Sequence, residues 1–454
     1  MKINTVIIGA GISGLSTANF LSKKTLDFIV VESSNKVGGI IDTHNEKGYT
    51  CENGPNTVLN NNNGIQELLD DLKISDDLIY PNNNAIKNRY VLKDGKPIKI
   101  PLSFSEFFIS PLFSMYSKIR ILLEVFVKKH KHNTDVKSFI SRRFGNEFHE
   151  RLIVPFLTGI YADETKTMSA KHTLKTIWEL EQNYGSVIIG LLKMKKSSKS
   201  KIFTFKNGLS HLTNSLKNKF HSKIIFNSKI SKIQKVSSGY DLFFSDGQRI
   251  SCKNLISTIP SFSLSELVFD LKFKKILSKI NYVPIDVFHF GFDKKNLENK
   301  IDGFGLLTKP EDEKNFLGIL YSSNIFNHVA KKNKFLLTVL VGGKRQQNLC
   351  KEDPKKIEKL ILTEVNDILK IKTKPEFIKH YRWKRGIPTY NMSTSDVIDE
   401  IRKFENENSN FYIGNRTWNS SVYIWSNYLG NDFYRNIKTL FGTFNISNTW
   451  SYCI

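Results

Sequence analysis

The chain has 454 residues, 40% of them hydrophobic, and 67 Lys and Arg against 43 Asp and Glu give it a formal net charge of +24. That length allows two or three domains, each with its own core, and the basic excess would suit nucleic acid, an anionic membrane surface or acidic small molecules. The lysines are scattered among Asn and Ile without a nucleic-acid-binding motif, and Cys51, Cys252, Cys350 and Cys453 lie too far apart for a zinc site or a disulfide framework, so no nucleic acid and no metal are expected, and a reducing compartment is.

In chain order, residues 3–8 form a short apolar β-prone run, and Gly9-Ala10-Gly11-Ile12-Ser13-Gly14 follows at once. Residues 15–24 have helical character, and Phe28-Ile29-Val30-Val31 runs into Glu32 and Ser33. This is a βαβ unit carrying a dinucleotide fingerprint: Gly9 permits the tight turn, Gly11 lets backbone approach a pyrophosphate, and Gly14 lets the helix pack on the strand. The diphosphate would sit on the free N–H groups of the helix N-terminus. Glu32 is placed to accept from both ribose hydroxyls and would repel a 2′-phosphate, which argues against NADP.

Next come Lys36-Val37-Gly38-Gly39, a doublet that lets backbone run beside a bulky ligand, and a strand ending in the rigid turn Gly54-Pro55-Asn56-Thr57. Together these features resemble the FAD-binding region of the monoamine oxidase and protoporphyrinogen oxidase superfamily. The position after the doublet, commonly Arg there, is Ile40 here. Asn88-Arg89-Tyr90-Val91-Leu92 alternates as a strand and turns at Lys93-Asp94-Gly95-Lys96, a hairpin. Read from the residues alone, Arg89 is either a carboxylate ligand or a solvated edge residue.

Residues 103–131 interleave Phe, Leu and Ile with Lys and Arg. They suit either a membrane interface with lysines at the headgroups or helices packed in a core. Further on, Val154-Pro155-Phe156-Leu157-Thr158-Gly159-Ile160-Tyr161-Ala162 and Trp178-Glu179-Leu180-Glu181-Gln182 precede Gly185-Ser186. This order of motifs is similar to that of protoporphyrinogen oxidases, as are the Gly208-Leu209 entry to a helix, the strands of residues 223–259 ending in Thr258-Ile259-Pro260, and the strand-rich half beyond.

The resemblance runs from residue 2 to residue 415. It implies an α/β architecture in which a Rossmann-like, discontinuous FAD-binding domain (1–85, 203–262, 400–454) joins an α+β substrate domain (86–102, 263–399) and a helical membrane-associated insertion (103–202). The implied activity is FAD-dependent six-electron oxidation of protoporphyrinogen IX by O2. Coproporphyrinogen III is the alternative substrate. The cofactor contacts it implies are Gly9, Ala10, Gly11, Ile12, Ser13, Gly14, Glu32, Ser33, Gly38, Gly39, Gly54, Pro55, Asn56, Thr57, Ile230 and Thr258. Those to the tetrapyrrole are Arg89 on a propionate, Gly159 at the pyrrole edge, Leu306 and Leu320 on one face and Leu340 on the other. No catalytic side chain is singled out.

Past Asn415 the resemblance ends: the family's glycine and following helix are missing, and Trp418, Trp425 and Trp450 crowd a tail unlike the preceding chain. A lineage-specific tail and a frame disruption that impairs the enzyme are the two readings. The chain enters its first strand without room for a signal peptide, and no apolar run reaches the roughly 18 residues of a spanning helix. A cytoplasmic protein, peripheral to a membrane and allowing a homodimer, is therefore expected.

Overall fold

A computed structural model describes residues 1–24, 27–60, 63–194, 201–297 and 301–414. The first two strands, β1 (Lys2–Ile8) and β2 (Phe28–Val31), lie parallel, pairing Thr5 with Phe28 through to Ile8 with Val31. Their facing segments are buried on both sides, as a parallel sheet covered on its two faces requires. Helix α1 (Ile12–Lys23) connects them and buries Leu15, Ala18 and Leu21 against the sheet. The full sheet has seven strands in the order Ile224–Ile225, β2, β1, Arg249–Ser257, Gly239–Phe244 and Ile230–Val236, with Phe411–Ile413 also pairing with Arg249–Ser257. The pairing of Phe411–Ile413 is parallel, so the chain returns to its first domain after a long excursion.

Segments on either side of this excursion add to the core of the first sheet. Helices Ser261–Leu267 and Leu271–Leu277 pack into it through Leu264, Phe273 and Leu277, and helix Thr394–Glu407 joins the same cluster through Val397, Ile401 and Phe404. The tail, including Trp418, Trp425 and Trp450, and residues 195–200 of the basic loop lie outside the described residues.

A second seven-stranded sheet runs Phe377–Pro388, Tyr282–Asp293, Lys334–Gly342, Gly318–Leu320, Gly305–Leu307, Arg89–Lys93, Lys96–Lys99. The last two strands form the predicted hairpin, with Asp94 and Gly95 at φ of 51° and 73° in its turn. Helix Pro354–Leu369 covers one face with Ile357, Ile361, Val365 and Leu369, one residue per turn. The other face meets the first domain and the helical region.

That helical region, residues 104–193, holds a core of Phe113, Phe139, Phe156 and Leu157. At its centre Arg143, fully buried, is paired with Glu124 at 2.6 Å and Glu181 at 2.6 Å, both also fully buried. Its outer surface is apolar in an unusual way: Ile109, Phe126 and Leu192 are 84%, 80% and 82% exposed, and Met115, Tyr116, Ile119 and Leu123 are exposed beside them in sequence. Lys118 lies in the same stretch with its ammonium turned inward, donating to the Phe108 carbonyl at 2.6 Å. Among the described residues no helix is long and apolar enough to cross a membrane.

Candidate functional site

The glycine loop sits where β1 meets α1. Gly9 takes φ of 101°, which an L side chain rarely adopts, and its N–H donates to Val31 at 2.8 Å. A β-carbon on Gly14 would run into the Gly9 carbonyl, so only glycine allows this helix-to-strand distance. Gly11 begins the helix, and no side chain hydrogen-bonds to cap it. The first-turn amides of Ile12, Ser13 and Gly14 therefore keep their positive character for a ligand.

The Gly38–Gly39 doublet runs directly along this loop: Gly38 (φ 112°) donates to the Ala10 carbonyl at 2.9 Å and pairs with Gly11, while the Gly39 backbone approaches the Gly11 α-carbon. A β-carbon on Gly38 would strike the Ile41 carbonyl, and one on Gly39 would press on the Gly11 α-carbon. These features fit a dinucleotide diphosphate. Glu32 is tied in as well, its carboxylate accepting from the Ala10 N–H at 2.8 Å and from the Ser34 N–H and hydroxyl at 2.9 Å each, with the exposed Ser33 hydroxyl at 3.3 Å. Its first role is to hold the loop, and lone pairs remain for ribose hydroxyls.

Thr258 closes the loop from beneath, donating to the Ile8 carbonyl at 2.7 Å. Ile230 is buried at the start of its strand among Val6, Ile8 and Ile29. On the other side, the turn at Gly54-Pro55-Asn56-Thr57 is held by the second sheet: Trp383 donates its indole N–H to the Asn53 carbonyl at 2.6 Å. A β-carbon on Gly54 would strike the Ile40 carbonyl. Thr57 is fully buried, and its hydroxyl has no partner among the described residues.

Strand alternation sorts the expected tetrapyrrole contacts. Val91, Leu307, Leu320 and Leu336 face the helical region, while Leu92, Leu306, Ile319, Leu337 and Val339 face the covering helix. Arg89, two residues before Val91, shares the first face, and so does Leu340, which packs near Val287 and Trp383. Gly159 reaches the same face, its open side against a Leu307 methyl. The structure therefore brings together Arg89, Gly159, Leu320 and Leu340. It does not bring Leu306, whose side chain points through the sheet to the opposite core. One step of register separates it from Leu307, the residue on the facing side.

Arg89 is 4% exposed, in an inner strand rather than at a solvated edge. Its guanidinium stands over the Phe304 ring at 5.1 Å, its Nε is buried without a partner, and no carboxylate pairs with it among the described residues. An uncompensated buried charge of this kind costs several kcal/mol, and a carboxylate-bearing ligand would remove that cost. Two further residues of the site escape a reading of the sequence. Trp383 is one, through its bond to the Asn53 carbonyl. Glu52, buried at 7% exposure, accepts from the Leu209 N–H at 2.7 Å and the Thr43 hydroxyl at 2.8 Å. Burial pushes its carboxyl up to about 7.

Comparison with known proteins accords with this geometry. Residues 12–420 match the family described as flavin containing amine oxidoreductase. The chain is similar to protoporphyrinogen oxidase 2, chloroplastic/mitochondrial, of Arabidopsis thaliana, 29% identical over 92% of this chain and 90% of that one. It is also similar to coproporphyrinogen III oxidase of Bacillus subtilis (strain 168), 26% identical over 88% and 90%. Among solved structures, one from Exiguobacterium sp. 255-15 superposes with a TM-score of 0.80 at 20% identity, covering 96% of this chain and 97% of its own. Cyclohexylamine oxidase from Brevibacterium oxydans IH-35A superposes with a TM-score of 0.69 at 14% identity, covering 97% of each chain.

Proposed function

The chain belongs to the flavin containing amine oxidoreductases, and from that premise we propose that it oxidises protoporphyrinogen IX to protoporphyrin IX with O2 as acceptor, as a step of haem biosynthesis. FAD is its cofactor. When bound, FAD supplies the two-electron chemistry, three rounds of which turn the porphyrinogen into the porphyrin, and O2 restores it.

The chain's own part is binding and exclusion. The amides of Ile12, Ser13 and Gly14 and the Gly38–Gly39 backbone hold the diphosphate, and Glu32 holds the ribose. The apolar wall of Leu307, Leu320 and Leu340 beside Gly159 suits the flat face of a macrocycle and keeps water from it. The observation that carries the substrate reading is Arg89, a buried cation on that wall with no protein anion paired to it among the described residues, where a propionate would complete it. Coproporphyrinogen III, with four propionates, is the second reading, favoured by the net charge of +24 and by the Bacillus subtilis relative. Porphyrin fluorescence after supplying each porphyrinogen to FAD-loaded protein tests both. Faster turnover of protoporphyrinogen IX is expected, faster turnover of coproporphyrinogen III would install the second reading, and no porphyrin from either would sink both.

The helical region is the site of membrane contact in this reading. Ile109, Phe126 and Leu192 are side chains that a soluble surface seldom leaves so open, and they stand in a lysine-rich stretch, the combination that binds anionic interfaces. The full chain should sediment with phosphatidylglycerol vesicles far better than with phosphatidylcholine vesicles, and the double variant Ile109→Asp, Phe126→Asp should lose at least about tenfold in that binding, since each apolar side chain contributes roughly 1.5–3 kcal/mol when buried. Equal sedimentation of the variant would count against this surface.

A further inference from the structure

A small cavity lies beside the second sheet, lined among others by Glu52, Asn56, Thr204, Leu320, Ser322 and Thr338. At about 20 Å³ it has room for a water molecule or two and for nothing larger. Its walls are largely apolar, with a few polar side chains among them. Asn56 and Thr204 make no side-chain hydrogen bond among the described residues, whereas Ser322 and Thr338 share one at 2.8 Å and Thr338 continues to His289 Nδ1 at 2.9 Å. His289 is fully buried, and its Nε2 has no hydrogen-bond partner there. Asn56 belongs to the cofactor turn and Leu320 to the apolar wall, and Glu52 shares this cavity with both.

Resting on the porphyrinogen reading, we infer that Glu52 holds the proton released at each oxidation step, receiving it through water in this cavity and giving it back when O2 reoxidises the enzyme. Each step breaks one meso C–H bond, whose hydride goes to the flavin, and releases one proton, from N–H in two of the three steps and from the fourth meso carbon in the other, and that proton converts the Glu52 carboxylate to the acid. Reoxidation passes the hydride's electron pair and two protons, one of them from Glu52, to O2 as hydrogen peroxide, and the carboxylate is restored. Atoms and charge balance over the cycle without another reagent.

The surroundings suit that task. Burial first, and Asp42 second, push the Glu52 carboxyl up against its hydrogen bonds from Leu209 and Thr43, so both forms are accessible near neutrality. The other titratable groups around it do not compete. Burial holds His289 down at about 3 and lowers His328, it raises Cys51 to about 12, and His44 is engaged by Glu46 at 2.8 Å. Glutamine at position 52 would keep an acceptor for Leu209 but could not hold the proton.

Redox potentiometry of the FAD-loaded full chain tests this without any substrate. Two-electron reduction takes one proton onto the flavin itself. The added negative charge should draw a second onto Glu52 when the pH is about one unit above 7. The pH dependence of the midpoint potential should therefore report two protons per flavin in the wild type, one in Glu52→Gln, and two again in Glu52→Asp. A count of one in the wild type, or the same count in Glu52→Gln, would overturn the inference. Porphyrinogen turnover in the same preparations reports separately on the substrate. A merely structural Glu52 would change flavin content or stability and leave the proton count alone.

Discussion

Leucine in place of Arg89 should raise the KM for a porphyrinogen about a hundredfold, change kcat by no more than a few fold, and leave the ligand-free protein more stable than before. The two halves of this expectation have one cause. Arg89 is 4% exposed with an unpartnered Nε and no carboxylate paired to it among the described residues, so the free protein carries a desolvated charge that its own groups do not balance. The contact with the Phe304 ring at 5.1 Å recovers only part of that cost, of the order of 1–2 kcal/mol.

A propionate supplies what is missing through two parallel charge-assisted hydrogen bonds, together about 3 kcal/mol, or roughly a hundredfold in affinity. The carboxylate stands away from the carbons being oxidised, so the contact is equally strong before and during the reaction and belongs in KM rather than kcat. Lysine at 89 should restore charge without the planar fork and recover only part of the loss. Initial-rate kinetics on Arg89→Leu and Arg89→Lys, with thermal melts of the protein before FAD is added, check both halves. An unchanged KM, or a melt that falls with Arg89→Leu, would show that the side chain serves the fold and not a ligand.

How much of this could be read from the residues differs by scale. The glycine loop and its acid are legible because Gly9, Gly11, Gly14 and Glu32 act through local spacing, and spacing is what a sequence states directly. The second sheet was legible as strands but not as faces: Leu306 and Leu307 are adjacent, both fully buried, and separated only by the side of the sheet they occupy. Choosing between them requires knowing that Leu320 pairs opposite Gly305 and that Gly159 packs on Leu307, contacts that join parts of the chain far apart in sequence. Glu52 and Trp383 were hidden for the same reason. Their meaning comes from partners at Leu209 and Asn53, roughly 160 and 330 positions away in order. Resemblance supplied the tetrapyrrole, which no single residue here would have named.

The largest effect on folding should come from Arg143→Met, which is expected to cost the helical region about 3–5 kcal/mol. Arg143 donates to Glu124 at 2.6 Å, to Glu181 at 3.0 and 2.6 Å, and to the carbonyls of Val127 and Gly185 at 3.1 and 2.6 Å. It therefore ties segments around residues 124–127, 143 and 181–185 into one core. The carboxylates have duties of their own: Glu124 also accepts from the Ser186 hydroxyl and from the Val187 and Ile188 amides that begin the next helix, and Glu181 from the His130 amide. Methionine fills the volume but leaves the buried Glu124 carboxylate without a cation and Glu181 with Arg142 alone, at 2.8 Å, a worse state than an apolar core or the intact network.

The variant should be less stable than the wild type, with the loss confined to the helical region. Urea melts followed by circular dichroism would reveal it, with amide exchange locating the opening. Protection should be lost first in helices Val136–Phe144 and Val187–Lys193 while β1 and β2 stay closed. Because helix Val154–Tyr161 carries Gly159 against Leu307 from this same region, loosening it should also relax the apolar wall. A variant that opens uniformly across both sheets would mean that the helical region has no core of its own.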